Sequence, residues 1–269
     1  MRIVERKLIG KKKSTELCED GLFISNDFVT VVDGVTSKGK QQWKGISSGN
    51  YAKNIIVEKM AVIEKSASAE ECLSQLNGHL KQAYLKHVQD DNISEWIRAS
   101  VIIYSRERNE IWSYGDCNCM INKKFFGHTK LIDSVLATLR SIIINNEIMH
   151  GKSINELIAT DVGREKIMPF LKLQLDFENR NCQFGYPILN GHSFNQDLIV
   201  KYAVKTDDEI ILASDGYPKI FSTLEESEQY LGEIVTNDPL CYEKYLSTKG
   251  LQKGSISFDD RCYCRFIVD

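Results

Sequence analysis

The chain has 269 residues, of which 34 are basic and 37 acidic, so its formal net charge is −3, and 42% of its residues are hydrophobic. This composition is typical of a globular protein with a buried core, and one domain over residues 1–269 is the simplest organisation. Because the basic residues form no long stripe beyond Lys11–Lys13, the charge gives no reason to expect a nucleic-acid partner.

The sequence also indicates a cytoplasmic location without a membrane partner. No stretch approaches the roughly 20 consecutive apolar residues that cross a bilayer, and residues 1–13 lack the apolar centre of a secretion signal. In that compartment we expect the eight cysteines to remain mostly thiols. The sequence leaves the oligomeric state open.

Apolar runs rich in β-branched and aromatic residues predict several groups of strands. The predicted strands lie at about 22–25, 28–33, 99–105, 110–115, 118–122, 199–204, 208–213 and 261–268. Residues 106–109 form a polar connection of hairpin length between two of them, so we expect antiparallel pairing there.

Helical periodicity fills the intervals between the strand groups. The predicted helices lie at about 47–66, 69–89, 129–149, 153–159, 164–174 and 223–234. Because helices and strands are grouped rather than strictly alternating, the pattern favours an α+β fold in which antiparallel sheets pack between helices. The segment 124–195 is the least regular, and we interpret it as a helical and loop elaboration at a sheet edge.

Acidic residues recur where apolar strands begin or end. One buried strand stops at Asp33-Gly34 and another stops at Asp215, while Asp116 and Asp259 stand beside two more. One such Asp-Gly is more often an ordinary turn, so only the recurrence points to a function. Carboxylates held rigidly at the mouth of a sheet are ligands for hard divalent cations such as Mg²⁺ and Mn²⁺.

The order and context of these segments resemble the PP2C-like (PPM) metal-dependent protein phosphatases over nearly the whole chain. Each short segment is weak alone, and the ordered set carries the resemblance. The matching segments are Glu19-Asp20, Val32-Asp33-Gly34, Tyr114-Gly115-Asp116, Ala213-Ser214-Asp215-Gly216 and Ser257-Phe258-Asp259-Asp260.

The resemblance implies a four-layer α-β-β-α sandwich with two antiparallel sheets flanked by helices. It implies a serine/threonine phosphatase that removes phosphate from phosphoserine and phosphothreonine in protein substrates. The implied cofactors are two Mn²⁺ or Mg²⁺ ions, with a third, weaker ion in addition. The nucleophile would be a water bridged by the metal pair, since two cations lower its pKa.

The same resemblance assigns roles to individual residues. Asp33, Asp215 and Asp259 would act in catalysis through the metal-bound water, with Asp33 bridging both ions. The Gly34 carbonyl would bind one ion and Asp116 would help to hold the third. Outside the ligand set, Glu19 and Asp20 would orient metal-bound waters.

Two departures from the family pattern keep other functions open. The loop after Gly34 lacks the usual Gly-Gly pair, and the position near Thr15 lacks the usual basic residue that grips the phosphate. Lys12 and Lys13 are candidate phosphate-binding substitutes. An interpretation in which both are simply solvated lysines of the N-terminal segment is at least as well supported by the sequence. Arg98 is a further candidate for contacting the phosphate, and the alternative is that it lies on the surface without a ligand. A catalytically weak or inactive phosphoprotein-binding regulatory module on the same fold is therefore the alternative, and a phosphatase of small metabolites is a third hypothesis.

Two close cysteine pairs need a separate interpretation. Cys117 and Cys119, like Cys262 and Cys264, have the spacing that places both side chains on one face of a strand. Zinc sites built from four cysteines normally have two residues between the thiols, so we predict buried free thiols rather than a metal site. Among the histidines, only His192 stands near a loop of interest.

Overall fold

The computed structural model describes residues 1–88, 92–127 and 130–269, and these contain two five-stranded antiparallel sheets. The first sheet has the order β1-β10-β9-β6-β7, built from β1 (Arg2–Ile9), β6 (Asn118–Ile121), β7 (Lys124–Phe126), β9 (Glu209–Ala213) and β10 (Arg261–Ile267). The second has the order β2-β3-β4-β5-β8, built from β2 (Asp20–Ile24), β3 (Phe28–Val35), β4 (Arg98–Ser105), β5 (Glu110–Tyr114) and β8 (Val200–Ala203).

The helices of the described residues flank these sheets. They are α1 (Ser48–Met60), α2 (Ala69–Leu85), α3 (Leu131–Met149), α4 (Ile154–Ala159), α5 (Val162–Leu173) and α6 (Leu224–Asn237), with short 3₁₀ helices at Ile93–Glu95, Gln174–Phe177 and Gln196–Leu198. In this described part of the chain, none of the helices combines the length and the apolar content that a membrane crossing requires.

The core between the two sheets is built from alternate residues of their strands. Val31, Ile102 and Leu212 contribute to it, because side chains of a strand point alternately to its two faces. The predicted buried thiols lie in this core: Cys117, Cys119, Cys262 and Cys264 are buried and form no disulfide. The two-residue spacing of each pair is thus explained by packing.

Helices cover the outer faces of both sheets. α1 and α2 pack on the second sheet, where Ile56 and Leu73 join a cluster with Val101 and Trp112. The outer face of the first sheet is covered by Tyr217 and by the residues leading into α6. The layers therefore follow one another as helix, sheet, sheet and helix, which confirms the predicted α-β-β-α sandwich.

The boundaries of several elements differ from the prediction. β1 and β7 have no counterpart among the predicted strands, because both are edge strands with charged residues in place of a continuous apolar run. α1 ends at Met60 rather than 66, where the N–H groups of Ala61 and Val62 turn back to carbonyls three residues earlier. The predicted helix ends at 89 and 129 lie outside the described residues.

Within the segment 124–195, α3, α4 and α5 form a unit that we call the helical cap. α3 and α5 pack through a cluster that includes Leu136 and Ile167. Arg140 of α3 is fully buried and donates hydrogen bonds to the carbonyl oxygens of Leu240 (2.7 Å) and Ser247 (3.1 Å). The cap is therefore fixed to the loop 238–250, which leads toward the acidic end of the sheets.

Candidate metal and phosphate site

The pairing of the strands brings the predicted aspartates to one end of the sandwich. Asp20 lies opposite Asp33 in the β2–β3 pair, and Asp33 lies opposite Ser100 in the β3–β4 pair. In the first sheet, Asp215 follows β9 and Asp259 precedes β10, and antiparallel pairing places these strand ends at the same edge. All of these residues thus share one end of the fold.

A hydrogen bond joins the two sheets at this end. The backbone N–H of Glu19 donates to Asp260 Oδ2 at 3.0 Å, although 241 residues separate them in sequence. The Glu19 carboxylate accepts hydrogen bonds from the hydroxyls of Thr36 (2.7 Å) and Ser47 (2.5 Å). Glu19 is therefore oriented by the loop after β3 and by the residue that caps α1.

Three carboxyl groups of the cluster form no ion pair in the part of the chain that the structure describes. Within residues 1–88, 92–127 and 130–269, Asp20, Asp33 and Asp215 form no ion pair, and Asp20 Oδ2 is buried without a hydrogen-bond donor. Burial, and after it the neighbouring carboxylates, raises the pKa of Asp215 to about 7 and those of Asp20 and Asp33 well above their usual value. This part of the site has an excess of negative charge.

Asp116 and Asp259 differ because each has a lysine partner. Lys130 Nζ lies 2.5 Å from Asp116 Oδ2, and Lys249 Nζ forms an ion pair with Asp259 Oδ2. Lys11 Nζ also lies 3.4 Å from Asp259 Oδ1. Although burial alone would raise the pKa of both aspartates, the adjacent ammonium groups lower it below the ordinary value.

Gly34 and Gly49 allow the backbone of α1 to approach this end closely. A Cβ atom on Gly49 would lie 2.6 Å from both the Gly34 carbonyl oxygen and Glu19 Oε1. Glycine is thus required for the first turn of α1 to fit against these oxygens. The Gly34 carbonyl is the predicted backbone ligand, whereas Gly49 belongs to none of the matched motifs.

The basic residues that contact the carboxylates are not those that the motif spacing suggested, although Lys12 lines a neighbouring cleft with Glu19. Lys12 and Lys13 are exposed in the turn after β1, whereas Lys11 reaches the carboxylates. Arg98 neither reaches the surface nor offers a free charge, since it is buried in an ion pair with Glu178. Lys11, Lys130 and Lys249 belong to no motif, so only the tertiary structure identifies them.

A cleft beside the carboxylates lies between the loop after β3 and the entry to the helical cap. Thr36, Ser37, Lys38, Lys130 and Tyr186 contribute to its lining. Lys38 donates a hydrogen bond to the Thr36 carbonyl at 3.1 Å and has no carboxylate partner among the described residues.

The charges that act most strongly on Lys38 are positive, although Glu19 is also near. Burial and the nearby charges of Arg164, Lys249 and Arg98 lower its pKa to about 8. An ammonium group among other cations in a cleft is a favourable place for an anion. The imidazole ring of His192 is not part of this lining and stacks on Trp96, with 3.8 Å between the ring centroids.

The fit to divalent cations divides the site into two parts. As they stand, no three acidic, histidine or cysteine side chains in the described part of the chain are arranged to enclose a metal ion. The oxygen donors of Asp33, Asp215, Asp20 and the Gly34 carbonyl are nevertheless the chemical type that Mg²⁺ and Mn²⁺ prefer, and none of these carboxylates forms an ion pair among the described residues. Asp116 differs because its carboxylate forms an ion pair with Lys130, so its predicted role as a metal ligand stays a prediction.

Comparison with known proteins agrees with this architecture. No family model matches the chain, and no curated protein sequence matches it. The solved catalytic domain of the serine/threonine protein phosphatase PstP, in complex with two manganese ions, is similar with a TM-score of 0.50 and 12% identity, covering 100% of both chains. The Mycobacterium tuberculosis serine/threonine phosphatase PstP/Ppp is similar with a TM-score of 0.50 and 12% identity over 99% of each.

This chain has the PP2C fold. The motif resemblance is therefore confirmed at the level of the fold, with the coverage extending over the whole of both chains. A similarity at 12% sequence identity shows a shared fold. The PP2C fold also accounts for the position of the cluster, because it is the strand pairing that brings five distant acidic segments to one end.

Proposed function

We propose that this PP2C-fold protein is a metal-dependent phosphatase that hydrolyses phosphoserine and phosphothreonine in protein substrates. The observation that supports it most is a group of three carboxyl groups, the buried Asp20 and the partly buried Asp33 and Asp215, that form no ion pair in the described part of the chain. Such a group is costly unless cations compensate it.

In this proposal two Mn²⁺ or Mg²⁺ ions would be held by Asp33, Asp215 and the Gly34 carbonyl, with Asp20 beside them. Asp259 is the remaining predicted ligand. Its negative charge raises the pKa of both Asp20 and Asp215, and it forms an ion pair with Lys249. Bound divalent ions would supply an activated water and positive charge against the phosphoryl oxygens.

The chain's own residues would position the substrate. Lys38 offers an ammonium group in the cleft, and Thr36 and Ser37 line the same cleft. Lys12 lies at a second cleft that Glu19 and Thr36 also line, so the phosphate-binding role of Lys12 and Lys13 stays a prediction. Glu19, held by Thr36 and Ser47, is fixed in place to accept a hydrogen bond from a water at the cluster.

A non-catalytic phosphoprotein-binding module is the second candidate function. It is favoured by the lysine partners of Asp116 and Asp259, which compensate carboxylates that the family resemblance assigns to metal ions. A protein of this kind would retain the basic cleft around Lys38 and bind phosphopeptides without turning them over.

The test compares hydrolysis of p-nitrophenyl phosphate and a phosphothreonine peptide in Mn²⁺, Mg²⁺ or EDTA. We expect turnover that requires a divalent ion and falls about 100-fold or more in Asp215→Asn, the scale on which one group supporting the transition state acts. Asp197→Asn, at an exposed aspartate, is the matched control. Binding of the peptide without turnover in any metal would instead support the non-catalytic module.

A further inference from the structure

Lys130 is enclosed within the acidic end of the fold, at the position before α3. Its side chain is only 11% exposed, and its Nζ lies 2.5 Å from Asp116 Oδ2 and 3.9 Å from Asp133 Oδ2. A lysine is seldom buried to this extent without specific partners. The contacts of its ammonium group therefore indicate what it does there.

The third side of this ammonium group is an aromatic face. The Tyr186 ring centroid lies 4.9 Å from Lys130 Nζ, within the range of a cation–π interaction. The ammonium group of Lys130 thus lies in a pocket formed by two carboxylates and an aromatic ring.

The other oxygen of Asp116 is also in use. The Ser100 hydroxyl donates to Asp116 Oδ1, and the Asp116 backbone N–H donates to Ser100 Oγ at 3.3 Å. Both carboxylate oxygens therefore have a donor, one neutral and one charged. An additional metal ion at Asp116 would have to displace the ammonium group of Lys130.

We propose that the Lys130 ammonium group is a built-in cation of this site, and that it occupies the position at Asp116 which the motif resemblance assigns to a third, weaker metal ion. This inference rests on the proposed function in one respect, which is that a metal pair binds at Asp33 and Asp215. Because Lys130 also lines the cleft with Ser37 and Lys38, its charge is present beside the substrate at every metal concentration.

The experiment counts bound ions rather than activity. Mn²⁺ binding to the full chain is measured by isothermal titration calorimetry and native mass spectrometry for wild type, Asp116→Asn, Lys130→Met, Lys130→Arg and the double variant Lys130→Met/Asp116→Asn. Lys124→Met, at an exposed lysine in β7, is the control for loss of a positive charge.

We expect wild type, Asp116→Asn, Lys130→Arg and Lys124→Met to bind the same number of ions. Lys130→Met should bind one more ion per chain, and the double variant should lose that ion again. The inference is overturned if Asp116→Asn removes an ion from the wild-type background, or if Lys130→Met gains none. The Asp116→Asn comparison decides the question by itself if Lys130→Met does not fold.

These outcomes separate the inference from the proposed function. A wild-type protein that binds no Mn²⁺ at all would contradict the metal pair at Asp33 and Asp215. An additional ion in Lys130→Met that depends on Asp116 would still establish Lys130 as the built-in cation.

Discussion

Lys38 is a candidate replacement for the basic residue that is missing from the PP2C-like sequence pattern. The usual upstream basic position falls near Thr15, and the loop after Gly34 lacks its Gly-Gly pair. That same altered loop places Lys38 at the cleft, with no carboxylate partner among the described residues and with Arg164 and Lys249 as positive neighbours. The loop thus supplies a cation at the cleft to which the proposed function assigns the substrate phosphate.

Replacement of Lys38 by methionine should weaken phosphopeptide binding while leaving the fold intact. A hydrogen bond between charged groups contributes about 1.5–3 kcal/mol, so we expect KM to rise roughly 10- to 100-fold with a smaller change in kcat. Lys40→Met, at an exposed lysine of the same loop, is the control. An unchanged KM in Lys38→Met would contradict the role of this residue.

The pH dependence of KM gives a second readout of the same prediction. Because the pKa of Lys38 is lowered to about 8, its positive charge is present at pH 7 and is lost as the pH rises through 8. The KM of wild type should therefore rise above pH 8, and that of Lys38→Met should not.

At the scale of elements, local sequence predicted the acidic end better than the basic residues around it. An aspartate directly after an apolar strand can be placed from a few neighbouring residues, as for Asp33 and Asp215. Lys249 lies in a loop without regular structure, and Lys130 precedes α3, so their positions depend on how the cap packs. β1 was not predicted because its charged residues conceal its pairing with β10.

The helical cap depends on one buried arginine. Arg140 pairs with Asp161 at 2.7 Å and donates to carbonyl oxygens of the loop 238–250, which carries Lys249. Removal of one member of a buried ion pair costs about 3–5 kcal/mol, because the remaining charge and carbonyl groups lose their partners. The cap and this loop should therefore loosen together.

We expect Arg140→Met to increase hydrogen–deuterium exchange in α3 and in the loop 238–250, with little change in the central strands β3 and β4. Lys172→Met, at an exposed lysine of α5, should leave exchange unchanged in both regions. Increased exchange spread evenly over the sheets would show that Arg140 supports the whole fold rather than the attachment of the cap.

For the whole molecule, a small net charge conceals a strong local imbalance. The formal net charge is only −3, yet several carboxyl groups converge at one end of the sheets. Folding must bring these groups together, while the unfolded chain keeps them apart. The stability of the metal-free protein should therefore depend on pH more than its composition suggests.

The sign of this dependence follows from the raised pKa values. The pKa of Asp215 is raised to about 7, and those of Asp20 and Asp33 are raised well above the ordinary value of 3.8. The native protein therefore binds protons that the unfolded chain has released, and its stability falls as the pH rises from about 4 through 7. Glu147 and Glu228, whose pKa is lowered to about 2, act in the opposite direction only near the ordinary glutamate value of 4.5, and well above that pH they contribute a constant amount because they are ionised in both states.

Thermal unfolding in EDTA should consequently show a lower midpoint at pH 8 than at pH 5.5. We expect a fall of roughly 3 to 8 °C, since about 1–2 kcal/mol shifts the midpoint of a protein of this size by that amount. Mn²⁺ should raise the midpoint more at pH 8, where the carboxylates are ionised, and Asp215→Asn should flatten the pH dependence. A midpoint in EDTA that is constant or rises over this range would mean that the carboxylates are already compensated by the lysines, because only uncompensated groups release protons in this window.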